Sequence, residues 1–289
     1  MDPASRHQVT SLLGAASQLL SDAGCDTPRL DAEVLLAHVL GQERAWLYAH
    51  PDYALPLLQL DTYQFLASRR AEREPIAYLT GHKEFFGLDF LITPDVLIPR
   101  PETEHLVELA LQWAATPSRR WTIADIGTGS GAIAVSLAVH LPGATVVATD
   151  VSPGALAVAH RNAIRHGVGE RVQCVQCDLV TPLRGPLHLI VANPPYLTQA
   201  ELAEAPPEVA RWEPRAALDG GPDGLTSIRA VLAIAASRLH PQGTLLVEIG
   251  AGQGCQALEL ARQYFLHAQV EIFKDYANHD RILAARYAQ

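Results

Sequence analysis

From Trp121 to its C-terminal end, the chain alternates between apolar, strand-like runs and helical runs. Parallel strands need crossover connections, usually helices, so this alternation is typical of a mostly parallel sheet with helices on both faces. Seven runs are predicted strands: residues 123–126, 144–149, 172–177, 187–192, 244–249, 269–273 and 281–285. The sequence therefore predicts an α/β fold with a Rossmann-like, seven-stranded, mostly parallel sheet.

Residues 1–73 have a different, purely helical periodicity, with leucines recurring at spacings of three and four. In the second predicted helix Thr27 is the expected N-cap, Pro28 the first helical residue and Gly41 the end. A third helix is expected to begin near Asp61. We interpret this region as a small helical bundle that either stabilises the chain or docks a partner.

A linker is predicted between this bundle and the alternating segment. Residues 74–98 are rich in phenylalanine, with glycine and proline between the apolar runs, which favours a β-hairpin. A helix then begins near Pro101. The predicted domains are a helical substrate-docking domain at 1–73, a β-hairpin linker at 74–98, and a cofactor-dependent catalytic domain at 99–289.

Charge and cysteine content narrow the functional classes. The chain has 22 Lys and Arg against 31 Asp and Glu, a net charge of −9, and this disfavours tight binding to long nucleic acid. Cys174 and Cys177 lie three residues apart in a predicted strand and would face opposite sides, so we expect no metal site and no redox pair. Without a signal-like or membrane-spanning segment, we expect a cytoplasmic protein.

The sequence Asp-Ile-Gly-Thr-Gly-Ser-Gly at 125–131 follows the first strand of the alternating segment. Its glycines permit a sharp turn and the close approach of a ligand to the backbone. Asp150 ends the next strand, 23 residues after Gly127, where a carboxylate can bind both hydroxyls of a ribose. Ser152 and Pro153 then open a helix. These features suit NAD, FAD and S-adenosylmethionine equally.

The sequence Asn193-Pro194-Pro195-Tyr196 follows the apolar run at 187–192, at the carboxyl end of a predicted strand. Prolines stiffen this turn and remove backbone donors, which leaves carbonyl oxygens as acceptors. The Asn193 side-chain oxygen and the Pro194 carbonyl could accept both hydrogens of a substrate NH₂ group. Tyr196 offers a flat face on which a planar amide or base could stack. The motif thus favours chemistry at an amino or amide nitrogen.

These motifs together resemble class I S-adenosylmethionine-dependent methyltransferases, and within them the release-factor glutamine methyltransferases, the HemK/PrmC family. The resemblance extends over residues 74–286. It includes the runs EPIAYLTG at 74–81, EFFG at 84–87, LIPRPETE at 97–104, EPRAAL at 213–218, GGPDG at 220–224 and DYANHDR at 275–281. It implies methylation of the glutamine side-chain amide in the Gly-Gly-Gln motif of peptide-chain release factors, with S-adenosylhomocysteine as the second product.

The resemblance also implies roles for individual residues. The glycine loop would bind the methionine part of S-adenosylmethionine, Asp150 its ribose, and Asp178 and Leu179 its adenine. Leu179 departs from family members that have an aromatic residue there. The residues assigned to the loop are Gly127, Thr128, Gly129, Ser130 and Gly131. Asn193 would bind both cofactor and substrate, and Pro194, Pro195 and Tyr196 would complete the substrate site.

Within that group Asn193, Pro194 and Tyr196 are the predicted catalytic residues. Glu248 closes the fifth strand of the sheet and is interpreted as structural. We also expect a monomer with no metal, no membrane and no direct nucleic-acid partner.

Three other functions are compatible with parts of the sequence. A nucleic-acid methyltransferase acting on the exocyclic amine of adenine or guanine would use the same Asn-Pro-Pro-Tyr motif, but the acidic balance disfavours it. A nicotinamide-dependent dehydrogenase would leave that motif unexplained. A non-enzymatic adaptor would bind S-adenosylmethionine without turnover.

Overall fold

The computed structural model describes residues 7–114, 121–180 and 186–287. The chain divides into two compact units. The first, which we call the helical unit, comprises Met1–His82 together with Pro207–Trp212. The second, which we call the sheet unit, comprises Lys83–Pro206 and Glu213–Gln289.

The helical unit is organised around an apolar core. Leu20, Leu35, Leu36 and Tyr63 are among its fully buried side chains, contributed by different helices. Helical spacing places apolar residues on one face of each helix, so packing these faces together removes them from water. Its consecutive helices are α1 (Val9–Asp22), α2 (Pro28–Leu40), α3 (Arg44–Ala49), α4 (Leu57–Ala71) and α5 (Ile76–Thr80).

Two local predictions for this unit are wrong. Thr27 does not cap α2, because its hydroxyl instead donates to the Asp31 carboxylate at 2.8 Å. The third predicted helix begins at Leu57, not near Asp61, and the short helix α3 precedes it. Pro28 does begin α2, and Gly41 ends it in the left-handed conformation (φ 63°), as predicted.

A short helix at Pro207–Trp212 also belongs to the helical unit, although it lies far along the chain. Its Glu208 accepts hydrogen bonds from Arg70 at 2.9 Å and from Arg73 at 2.6 and 2.7 Å. Arg70 is buried and also pairs with Asp31 at 2.7 Å. Removing any member of this cluster would leave a largely desolvated charge without its partner, which is costly.

The hairpin predicted within residues 74–98 consists of β1 (His82–Phe85) and β2 (Leu88–Leu91), whereas residues 76–80 of that range form helix α5. Phe86 and Gly87 form the two-residue turn between them, and both have positive φ (52° and 72°). Positive φ at both central residues is the mark of a type I′ turn, whose twist matches that of the flanking strands.

The sheet unit contains the seven-stranded sheet that the alternation predicts. Its strand order is β5-β4-β3-β6-β7-β9-β8, with β3 to β7 parallel and β9 antiparallel to both its neighbours. The strands are β3 (Thr122–Ile126), β4 (Thr145–Asp150), β5 (Val172–Gln176), β6 (Leu187–Ala192), β7 (Leu239–Glu248), β8 (Ala268–Lys274) and β9 (Asp280–Tyr287). Strand β7 begins earlier than predicted.

Helices lie between most successive strands of the sheet, and the central strands are buried. They are α6 (Pro101–Trp113), α7 (Ala132–His140), α8 (Pro153–Arg165), α9 (Gln199–Glu204), α11 (Thr226–Arg238) and α12 (Gly254–Tyr264), with α10 being the Pro207–Trp212 helix of the helical unit. Along the described ranges, no helix combines the length and apolar character that crossing a membrane requires.

The strand order positions the site. Strand β3 has β4 on one side and β6 on the other, so the order of strands reverses direction at this point. Loops that leave the carboxyl ends of strands separate there and open a crevice, which is where ligands of open α/β sheets bind. The glycine loop, Asp150 and Asn193 follow or end these three strands.

Candidate active site

The glycine loop after β3 is held in place by Asp125, the last-but-one residue of that strand. The Asp125 carboxylate accepts hydrogen bonds from the Thr128 hydroxyl at 2.6 Å and from the backbone N–H of Ala134 at 3.1 Å. Burial raises the pKa of Asp125 to about 7. Asp125 therefore ties the loop and the first turn of α7 to the buried end of the strand, a role that the sequence did not indicate.

The three glycines of the loop have positive φ but different surroundings. A β-carbon at Gly127 or Gly129 would meet no atom within 4 Å, whereas one at Gly131 would lie 3.0 Å from the β-carbon of Ala159 in α8. Gly127 and Gly129 thus leave space for a ligand to approach the backbone, and both line the cavity described below. Gly131 instead allows close packing against the neighbouring helix.

Alanine substitutions should separate these two roles. We expect Gly131→Ala to reduce the free energy of unfolding by about 1–2 kcal/mol for the left-handed backbone and by about 1–3 kcal/mol more for crowding against α8. Gly127→Ala should incur only the backbone cost and should mainly weaken cofactor binding. Urea denaturation and calorimetric titration of both variants would measure this difference, and equal losses of stability would contradict it.

Asp150 ends β4 and is fastened to the glycine loop. Its Oδ2 atom accepts from the backbone N–H of Gly129 at 3.0 Å, and its Oδ1 atom accepts from the N–H of Ser152 at 2.9 Å. Ser152 in turn caps α8, as predicted, by accepting from the N–H of Ala155 at 3.2 Å. The carboxylate is therefore held in one orientation beside the loop before any ligand arrives.

A cavity of about 330 Å³ lies where the glycine loop, the end of β4 and the segment after β6 meet. It is lined by most of the predicted site residues, namely Gly127, Gly129, Asp150, Asp178, Leu179, Asn193, Pro194 and Pro195. Thr128, Ser130, Gly131 and Tyr196 do not line it. Thr128 and Ser130 are buried behind the loop, where Thr128 bonds to Asp125.

Other parts of the sheet unit contribute lining that the sequence did not predict. They are Asp95, Val96, Leu97, Pro214, Ala216, Ala217, Ser227 and Val231. They come from loops and helices distant in sequence. Leu97, Pro214, Ala216 and Ala217 lie in runs that carry the family resemblance, but no role was assigned to them from the sequence. Residues close in sequence to the predicted positions also line the cavity. Within the described part of the chain, His, Cys, Asp and Glu side chains form no group of three that could hold a metal ion.

Asn193, which follows β6 directly, is oriented by a partly buried hydrogen bond. Its Nδ2 atom donates to the Thr103 hydroxyl of α6 at 3.1 Å, and Thr103 donates to Glu248 at 2.7 Å. Among the described residues, the Asn193 Oδ1 atom has no hydrogen-bond partner. That oxygen is therefore available as an acceptor at the cavity that Asn193 lines.

Tyr196 lies behind the cavity, not in its wall. Its ring packs against the core of the sheet unit, and its hydroxyl donates to the Glu248 carboxylate at 3.5 Å. Its backbone carbonyl accepts from the Gln253 side chain at 3.0 Å. Burial, followed by the charge of Glu248, raises the pKa of Tyr196 to about 12, so the phenol is neutral at physiological pH. These contacts anchor the end of the Asn-Pro-Pro-Tyr turn.

Comparison with known proteins identifies both parts of the chain. A family described as the PrmC N-terminal domain matches residues 11–81, and one described as the methyltransferase small domain matches residues 107–208. The solved structure of a methyltransferase from Pyrococcus furiosus superposes with a TM-score of 0.53 at 18% identity, covering 77% of this chain and all of that one. The fold is that of a Rossmann-like methyltransferase.

Sequence relatives of similar length show which family of methyltransferases this chain resembles. A release factor glutamine methyltransferase from Moorella thermoacetica is 47% identical over 94% of this chain and 96% of its own length. One from Nitratidesulfovibrio vulgaris is 43% identical over 99% of this chain and 98% of its own. The chain therefore belongs to the release factor glutamine methyltransferase family.

Proposed function

We propose that this protein methylates the side-chain amide nitrogen, N5, of the glutamine in the Gly-Gly-Gln motif of peptide-chain release factors. The observation that carries the proposal is the orientation of Asn193, whose NH₂ group is engaged by Thr103 while its oxygen remains available at the cavity. Membership in the family supplies the substrate class, and the glutamine side chain offers a single nitrogen.

The residues around the cavity fit S-adenosylmethionine, which we propose as the methyl donor. Gly127 and Gly129 form a cradle that any side chain would fill. Asp150 presents a fixed carboxylate that suits a ribose, and Leu179 provides an apolar surface that suits a purine. When bound, S-adenosylmethionine supplies a methyl group made electrophilic by its attachment to a sulfonium.

The substrate amide needs orientation more than it needs a base. An amide nitrogen is a weak nucleophile because its lone pair is conjugated with the carbonyl group. The Asn193 oxygen and the Pro194 carbonyl can accept its two hydrogens, which fixes the NH₂ group and directs its lone pair toward the methyl donor. Both acceptors also stabilise the positive charge that develops on nitrogen as the new N–C bond forms. The nitrogen then loses one proton to water.

Transfer of a tritiated methyl group tests this function. We expect label to move from S-adenosylmethionine to an intact release factor, and not to a release factor whose Gly-Gly-Gln glutamine is replaced by alanine. Adenine- or guanine-containing nucleic acid should remain unlabelled. Label on nucleic acid alone would favour the exocyclic-amine alternative, and binding without transfer to either substrate would favour the adaptor. The proposed place of action is the cytoplasm, where translation terminates.

We further propose that the helical unit docks the release factor. Helix α4 exposes Leu58 and Phe65, which are 79% and 59% accessible to solvent. They lie seven residues apart and therefore share one face of the helix. Apolar side chains on one exposed helix face are suited to burial against a protein partner.

Replacing both residues by serine should lower kcat/KM for an intact release factor at least about tenfold, since each buried apolar side chain contributes about 1.5–3 kcal/mol. Activity on a short Gly-Gly-Gln peptide should be unchanged, because such a peptide lacks the protein surface that would bury these side chains. Leu266→Ser, at a residue of the sheet unit with 77% exposure, is the matched control. Equal losses on protein and peptide would remove α4 as a docking surface.

A further inference from the structure

Thr103 and Glu248 form a buried chain of hydrogen bonds behind Asn193. The Asn193 Nδ2 atom lies 3.1 Å from the Thr103 hydroxyl oxygen, which lies 2.7 Å from the Glu248 Oε2 atom. Thr103 is 4% exposed and Glu248 is 1% exposed, and neither lines the cavity. A buried carboxylate is costly unless its hydrogen bonds are made. These hydrogen bonds connect the buried Glu248 carboxylate to Asn193, the residue proposed to bind the substrate amide.

The direction of these hydrogen bonds follows from the number of protons available. An ionised carboxylate can only accept, and a hydroxyl has one proton to donate. When Glu248 is ionised, Thr103 must donate to it and must accept from its other neighbour. Only the NH₂ end of the Asn193 amide can donate to the Thr103 hydroxyl oxygen, so the oxygen end of the amide is directed away from Thr103.

Protonation of Glu248 would remove this constraint. A neutral carboxyl group can donate to the Thr103 oxygen, which frees the hydroxyl proton for Asn193. The Asn193 amide could then turn its oxygen toward Thr103 and its NH₂ group toward the cavity. An NH₂ group cannot accept from the NH₂ group of a glutamine substrate, so the reversed amide would lose its function at the reacting nitrogen.

We propose that Thr103 and Glu248 are positioning residues, which together hold the Asn193 side chain with its oxygen toward the substrate amide. The proposal rests on the proposed function and goes beyond it by naming what fixes the orientation of the amide. Neither residue touches substrate or cofactor. They act through the polarity of the hydrogen-bond chain, which is set by the charge on Glu248.

The groups around Glu248 determine when it carries that charge. From α6, Glu102 repels the carboxylate, and from β9 the guanidinium of Arg281 attracts it. Arg281 also pairs with Asp275 at 3.2 Å, so its guanidinium is shared between two carboxylates. From the Asn-Pro-Pro-Tyr turn, the Tyr196 hydroxyl donates to it. Burial, to which the repulsion by Glu102 adds, outweighs the contacts that favour the charged form and raises the pKa of Glu248 to about 7.

The charge on Glu248 sets the direction in which kcat changes with pH. Above a pH of about 7 the carboxylate is charged and the chain holds Asn193 in the productive orientation, whereas below it Glu248 is neutral and the constraint is lost. We therefore expect kcat to rise with pH to a plateau, with a midpoint near 7. The measurement is the pH profile of kcat with saturating S-adenosylmethionine and intact release factor.

Glu248→Gln has nearly the same shape but cannot ionise, so its profile should be flat over the range in which the wild-type kcat changes. Glu102→Gln is the matched control. It removes a neighbouring negative charge and keeps the hydrogen bonds between Glu248, Thr103 and Asn193. The fall in kcat at low pH should therefore persist, with its midpoint moved to lower pH. A Glu248→Gln variant whose kcat falls at low pH as in the wild type would overturn the proposal.

Substitutions at Thr103 give an independent test if Glu248→Gln does not fold. Thr103→Val keeps the shape and removes the hydroxyl, and should lower kcat about tenfold to a hundredfold without changing the affinity for S-adenosylmethionine. Thr103→Ser should restore most of the loss. Wild-type kcat in Thr103→Val would refute the positioning role. Failure of wild-type protein to methylate release factor would refute the proposed function instead, which keeps the two outcomes distinct.

Discussion

Asn193→Ala should lower kcat about a hundredfold to a thousandfold, which corresponds to about 2.7–4 kcal/mol of transition-state stabilisation. The side-chain oxygen is one of two acceptors proposed for the substrate amide, and the developing positive charge on nitrogen makes that contact stronger in the transition state than in the ground state. The affinity for S-adenosylmethionine should change little, because the glycine loop and Asp150 remain. Single-turnover kinetics and calorimetric titration would measure the two quantities separately.

Asn193→Asp is the sharper companion variant. Aspartate keeps an acceptor at the cavity but removes the NH₂ donor that Thr103 accepts from, and it places a second carboxylate beside the chain that ends on Glu248. We expect it to be impaired as severely as the alanine variant. Wild-type turnover in either variant would contradict the role of Asn193.

Asp150→Ala should show the opposite pattern, with a large loss of cofactor affinity and a smaller change in kcat at saturation. Two charge-assisted hydrogen bonds to a ribose would be lost, each contributing about 1.5–3 kcal/mol. The substitution would also release the backbone N–H groups of Gly129 and Ser152, which Asp150 accepts from. The expected rise in the dissociation constant for S-adenosylmethionine is therefore at least about a hundredfold.

Asp95→Ala provides a control for simple loss of negative charge. Asp95 lines the same cavity, but its carboxylate accepts from the Thr93 hydroxyl at 3.0 Å and is not bonded to the glycine loop. We expect the affinity of this variant for S-adenosylmethionine to fall much less. Equal losses in the two variants would mean that charge, and not the placement of Asp150, controls binding.

The fold could be predicted from sequence because its signals are local. Strands buried on both faces appear as apolar runs, and parallel strands are usually joined by helices, so the alternation from Trp121 onward predicted the sheet. The glycine loop, Asp150 and Asn193 could be predicted as site residues because each directly follows or ends a strand, and the carboxyl ends of neighbouring strands meet at one edge.

What sequence analysis missed depends on contacts between distant residues. Thr103 lies 90 residues from Asn193 and 145 from Glu248, and no spacing rule connects a helix residue with a strand end so far away. For the same reason Glu248 was interpreted only as structural. The pairing of Glu208 with Arg70, 138 residues apart, placed the Pro207–Trp212 helix in the helical unit without any local signal.

The motif does not determine where the Tyr196 side chain lies, and its catalytic role stays a prediction. An aromatic residue beside a polar turn has a flat face and a hydroxyl, and either could serve a substrate. The structure buries its ring against the core and directs the hydroxyl to Glu248, so the motif alone could not indicate which side of the turn the ring occupies.

The most direct test of the account is fragmentation mass spectrometry of a release factor after incubation with this protein and S-adenosylmethionine. We expect one added methyl group, on the peptide that contains Gly-Gly-Gln, with the fragment ions placing it on the glutamine side chain. The Asn193→Ala protein should leave the same peptide unmodified over the same time. A methyl group on another residue, or an unmodified Gly-Gly-Gln peptide with wild-type protein that binds S-adenosylmethionine, would contradict it.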